Sequence, residues 1–234
     1  MKIARFSVAT VAAWGLIDEA GGEILQIAAS LPSWSPRIAG GEGIAALPRT
    51  GRRHATTAVE LLSPVSEGAR VYGEAGWEAA RLRVSQASPP PGALALGVAV
   101  VGASLTGRRN PLRSLFGYGA AWGETLADGD RVVHIAPWLE TRGIYGDERP
   151  DLGAQWQSSF GRTGGAGLPA RDLVDRLRRI EAEASLRAGD LIIFALTTAA
   201  PEQPAPAWAV SAGGRPPAFT LGAEHIANHA QAAR

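Results

Sequence analysis

Three side chains, Glu74, Glu124 and His134, carry most of the proton chemistry this sequence could perform. His134 sits in an apolar run, Arg-Val-Val-His-Ile-Ala-Pro-Trp. A histidine ordinarily titrates near neutral pH, which suits a general base. The same run would equally hold a half-buried imidazole bonded to backbone. Glu124 closes another apolar stretch, as a base or as a plain strand-end carboxylate. Glu74 and Glu78 flank Trp77. A glutamate there holds a proton at neutral pH only where a pocket favours its neutral form. An exposed face, with Glu78 beside Arg81 and Leu82, fits as well. Asp128 and Asp130 bracket Gly129, and Asp-Gly is first of all a hairpin-turn signal. Gathered in one cavity, Trp77, Trp122 and Trp138 would suit a hydrophobic ligand. Dispersed, they are ordinary core packing.

Other patterns carry less. His225 and His229 have the spacing of a metal pair on a helix, but no glutamate follows His225 as a zinc-protease motif requires. A frayed tail is the expectation there. The Gly-rich run from Arg162 lacks the lysine of a phosphate loop.

Composition narrows the classes further. The chain has 234 residues, 46% of them hydrophobic, enough for one or two domains with a sizeable core. A net charge of +1 gives nucleic acid or a membrane surface little to hold. There is no cysteine, which excludes disulfides, thiolate nucleophiles and Cys-ligated metals. Lys2 is the only lysine. No apolar run reaches the roughly 18 residues of a membrane span, and the N-terminus makes a poor signal peptide. A cytoplasmic protein is expected.

The elements that must position these side chains are mostly strands. With 29 glycines and 16 prolines, the chain breaks into short apolar runs. Strands are expected over 3–8, 12–17 and 23–27, forming a small meander, then a loop or short helix over 32–56. Residues 94–101 are apolar on both faces, as in a fully buried strand. Strands 115–121 and 131–139 follow, and residues 85–91 form a polyproline-biased bend. Between Ala170 and Ala184, Leu173, Leu177, Ile180 and Ala184 recur with helical spacing. A strand from Asp190 and a closing hairpin, 207–212 with 218–221, complete the chain.

The frame from Leu115 to Leu139, Phe116-Gly-Tyr leading to Pro137-Trp138, resembles the core of the fumarylacetoacetate hydrolase family. So do Leu61-Leu-Ser-Pro-Val, Gly189-Asp-Leu-Ile, and an N-terminus with Ala4-Arg-Phe and Trp14-Gly-Leu-Ile-Asp. The N-terminal strands look like the module of the 2-hydroxyhepta-2,4-diene-1,7-dioate isomerase-type relatives. The resemblance implies a β-rich α+β fold, a β-sheet roll or barrel core over 61–234 preceded by a small β module over 1–60. It also implies a divalent Mg, Mn or Ca ion on two Glu and one Asp, and a His–Glu pair that activates water.

Position by position, that chemistry is missing. The two Glu positions read Leu94 and Leu96, and the Asp position reads Gly123 beside Trp122. Glu124 follows it as a displaced ligand or base. Trp77 stands for the Tyr of the water-activating segment, and no His follows. Asp130 matches an acid near a substrate-binding Lys that has no counterpart. The expectation is therefore a protein without metal or other cofactor. One reading is a metal-free isomerase, cyclase, dehydratase or C–C hydrolase that binds a keto or enol small molecule in an apolar pocket. Glu74, Glu124 or His134 would then move the proton, within walls of Trp77, Leu94, Leu96, Trp122, Asp130 and Trp138. The other reading is a pseudoenzyme, a homodimer or the partner of an active paralogue.

Overall fold

In the computed structural model, residues 2–18, 22–40, 42, 47–65, 68–73, 76–85, 93–141, 152–157, 163–168, 170–196, 207–212 and 219–221 are described. For 152–157, 163–168, 170–171, 207–212 and 219–221 the description covers backbone alone. Strands dominate. The N-terminal meander is β1 (Lys2–Val8), β2 (Val11–Asp18) and β3 (Glu23–Ile27). The stretch expected as a loop or short helix holds helix α1 (Leu31–Ala39), and with it an edge strand that was not expected, β4 (Arg49–Ala55). Short β5 (Glu60–Leu62), β6 (Val71–Gly73) and β7 (Arg81–Val84) follow, with a 3₁₀ turn at Trp77–Ala79. The centre is β8 (Leu94–Val101), β9 (Leu115–Thr125), β10 (Arg131–Ile135) and β11 (Trp138–Thr141). Then come β12 (Leu152–Gln157), β13 (Thr163–Leu168), helix α2 (Ala170–Glu183), β14 (Leu191–Ala195), β15 (Ala207–Ala212) and β16 (Phe219–Leu221).

Twelve strands share one sheet, with the path β4-β3-β2-β1-β11-β9-β8-β14-β6. The N-terminal meander joins the core directly, since β1 pairs with β11, Ile3 opposite Leu139. The run expected as one strand over 131–139 is two. Pro137 has no N–H to give the ladder, and the chain breaks there into β10 and β11. Both lie antiparallel along the same edge of β9. From that edge the sheet forks: β10 leads on to β7, and β11 leads to β1. The remaining four strands form a second sheet, β13-β12-β15-β16.

The centre is buried on both faces, as its unbroken apolar sequence requires. On one face α2 contributes Leu173 and Leu177 to a core with Ala95, Tyr118, Trp122 and Phe194. On the other, α1 contributes Trp34 and Ile38 to a core with Leu96, Val98, Phe116 and Val133. Trp34 meets Trp14 and Phe116 edge-on, with centroids 5.6 and 5.4 Å away. Such pairs add roughly 0.5–1.5 kcal/mol each beyond their buried area, and they pin the N-terminal module to β9. At the start of β14, buried Asp190 accepts hydrogen bonds from Arg70 Nη2 at 2.6 Å and from the Arg187 N–H at 2.8 Å. The bond to Asp190 pushes the Arg70 guanidinium pKa above its usual value. The Gly-Asp-Leu-Ile motif is thus a structural clamp here. Among the described residues, no helix is long and apolar enough to cross a membrane.

Candidate functional site

Strands β7, β10, β9 and β8 lie side by side, and their register sorts the candidate residues onto two faces. Side chains alternate along a strand, so residues facing one another across the ladder share a face. Leu94 faces Gly123 and Leu96 faces Ala121. Gly123 faces Val133, which faces Leu82. One residue along, Ala95 faces Trp122, Trp122 faces His134, and His134 faces Arg83. The two rows point in opposite directions.

The first face holds the three positions that the resemblance assigns to metal ligands, and they do converge. A Cβ built on Gly123 would lie 2.9 Å from Leu96 Cδ1. It would also lie 2.5 Å from Trp77 Cη2 and 2.6 Å from Cζ3. No real Cβ sits so close to a ring, so the Trp77 indole occupies the space a side chain at 123 would enter. Trp77 is only 6% exposed and Leu96 fully buried. The ring is held from behind by the Arg131 guanidinium, 5.1 Å from its centroid. The 3₁₀ turn that carries it packs against Gly73, where a Cβ would meet the Glu78 nitrogen at 2.7 Å. The residues here do not fit a hard cation, which takes oxygen ligands; Leu94, Leu96 and Trp77 present carbon.

The second face is polar at the same level. His134 Nε2 lies 3.0 Å from Glu124 Oε1. An ionised carboxylate only accepts, so Nε2–H is the donor of this bond. The imidazole stacks on Trp122, centroids 3.7 Å apart and planes within 3°. The His134 side chain is 12% exposed and that of Glu124 29%. Trp122 Nε1 is buried and has no hydrogen-bond partner among the described residues. In place of the backbone bond of the half-buried alternative, the ring is bonded to a carboxylate.

The remaining candidates are placed as follows. Trp77 and Trp122 do not share a cavity, because they cover opposite faces of β9. Trp138 packs at the margin of the core that holds Trp122, with Lys2 Nζ 4.8 Å from its ring. Asp130 belongs to a turn: its N–H donates to Asp128 Oδ1 at 3.0 Å, and Gly129 has φ +88°. Its carboxylate accepts from exposed Arg81. Glu74, His225 and His229 lie outside the described residues, as do residues 86–91 of the bend expected over 85–91. Among the described residues, no group of three or more His, Asp or Glu is arranged to hold a metal. A cleft of about 500 Å³ lies elsewhere, in the N-terminal module, between Trp14, Gln26, Leu31 and Thr50. Arg83 was not among the candidates. Alternation in Arg81-Leu-Arg-Val could have flagged it, but only strand pairing puts it beside His134.

Residues 1–64 match the family model described as Rv2993c-like, N-terminal. No curated protein matches the sequence at a significant level. Among solved structures, fumarylacetoacetate hydrolase from Exiguobacterium antarcticum is similar, with a TM-score of 0.57 at 17% identity, over 94% of this chain and 97% of that one. The 2-hydroxyhepta-2,4-diene-1,7-dioate isomerase from Mycobacterium marinum is similar too, with a TM-score of 0.55 at 17% identity, over 94% of this chain and 96% of that one. Maleylpyruvate hydrolase from Sphingobium sp. SYK-6, in complex with manganese(II) and pyruvate, gives 0.54 at 16% identity over 94% and 98%.

Proposed function

We propose that this chain, which shares the fold of fumarylacetoacetate hydrolase and its structural neighbours, belongs to that family and has retired the metal-dependent chemistry of its relatives. It acts as a pseudoenzyme, as a homodimer or as the partner subunit of an active paralogue. One observation carries the reading: the Trp77 ring lies where a side chain at 123 would have to be. A pocket emptied of ligands would keep its shape and wait for a substitute. This one is filled by Trp77 and Leu96, both part of one buried core. Hydrolysis of maleylpyruvate or fumarylacetoacetate, assayed with Mn²⁺ or Mg²⁺ present, is the test. No turnover above the uncatalysed rate is expected. Metal-stimulated turnover overturns the proposal.

A second reading has its own support. A metal-free enzyme acting on a keto or enol compound needs a positioned acid–base group. The 3.0 Å contact of His134 with Glu124 supplies one. It is set apart from the filled position, on the other face of β9. Metal-independent tautomerisation of a keto acid, abolished by His134→Gln, would favour this reading.

A further inference from the structure

The Arg83–His134–Trp122 row carries two groups that neither reading uses, the Arg83 guanidinium and the Trp122 indole N–H. Arg83 is exposed and makes no hydrogen bond or ion pair with any described residue, whereas Arg81 on the same strand is held by Asp130. At the other end, Trp122 Nε1–H is a donor in a side chain only 4% exposed, without a partner among the described residues. Buried donors ordinarily find an acceptor, and one left over points to a missing group. His134 lies between them, fixed by its stack on Trp122 and its bond to Glu124. Neighbouring strands are about 4.8 Å apart, so the row from β7 to β9 spans about 10 Å. The next residue in the row, Ala95, is small.

We propose that this row is a binding site for a small organic carboxylate, on the sheet face opposite the filled metal position. The planar guanidinium of Arg83 is a fork that matches two carboxylate oxygens. The indole N–H supplies a donor to a second oxygen on the ligand, such as a keto or hydroxyl group. Glu124, one step along the same face, disfavours a dianion: a phosphate would set two negative charges against its carboxylate, at a cost Coulomb's law makes large near a partly buried site. A monocarboxylate avoids this by turning its uncharged end toward Glu124. The site does not depend on the metal face being retired, and it stands or falls separately from it.

The full-length protein, labelled with ¹⁵N, provides the test. Its seven indole N–H resonances are followed while pyruvate, lactate or inorganic phosphate is added. Trp122→Phe identifies the Trp122 signal. A saturable shift of that signal with pyruvate or lactate is expected, and a weaker response to phosphate. Arg83→Gln should weaken carboxylate binding about tenfold, the worth of one charge-assisted hydrogen bond. Arg81→Gln, with the same charge change on the same strand, should leave it nearly unchanged. Three results overturn the proposal: no saturable shift with either carboxylate, tighter binding of phosphate than of carboxylate, or equal binding by Arg83→Gln and the unaltered protein.

Discussion

The two faces of β7, β10, β9 and β8 share one backbone and differ in almost everything else. One face, with Leu82, Val133, Gly123 and Leu94, is closed by the Trp77 ring and reads as core. The other, with Arg83, His134, Trp122 and Ala95, keeps a histidine–glutamate pair and an indole N–H without a partner among the described residues. A one-residue step along β9, from Gly123 to Glu124, separates the two. The difference teaches that a position without a ligand side chain need not be a void. A glycine at the ligand position admits an aromatic ring, and the ring then makes any return costly.

The largest expected effect lies on the closed face. Trp77→Ala should cost about 3–5 kcal/mol of stability in denaturant unfolding, since it opens a cavity between Leu96 and β9. A loss under 1 kcal/mol would mean the ring is not core. Gly123→Ala comes next, at about 1–3 kcal/mol, because its Cβ overlaps the ring. In the Trp77→Ala background the same change should cost far less, and a double-mutant cycle reads that coupling directly. Additive losses would separate the two residues. On the polar face, His134→Ala should cost about 0.5–1.5 kcal/mol for the lost stack, plus the area it buries. Asp130→Ala is the smallest: its ion pair with Arg81 is exposed, and such pairs contribute about 0–1 kcal/mol.

Much of the fold was legible because its signals are local. The buried run 94–101, the helix at 170–184 and the closing hairpin follow from periodicity and turn residues, and the Asp-Gly turn at 128–130 from its dipeptide. The helix over Leu31–Ala39 was legible only as an alternative to a loop, since Pro32 and Pro36 mask it, and the edge strand over Arg49–Ala55 was not legible at all. Nor was the hairpin of β12 and β13, whose Thr163-Gly-Gly-Ala-Gly strand has little β propensity. The site divided likewise. That Leu94, Leu96 and Gly123 stand where ligands are expected came from motif resemblance. That Trp77 fills the gap, and that Trp122 faces the other way, depends on strand register, which a single sequence does not carry. Arg83 was missed for the same reason.

The central claim, that the metal position is now core, meets its most direct test in a calorimetric titration of the protein with Mn²⁺. The account predicts no stoichiometric heat of binding, in the unaltered protein and in Gly123→Asp alike, because Trp77 still fills the space. Tight one-to-one binding in the unaltered protein, lost on truncating a carboxylate, would contradict it.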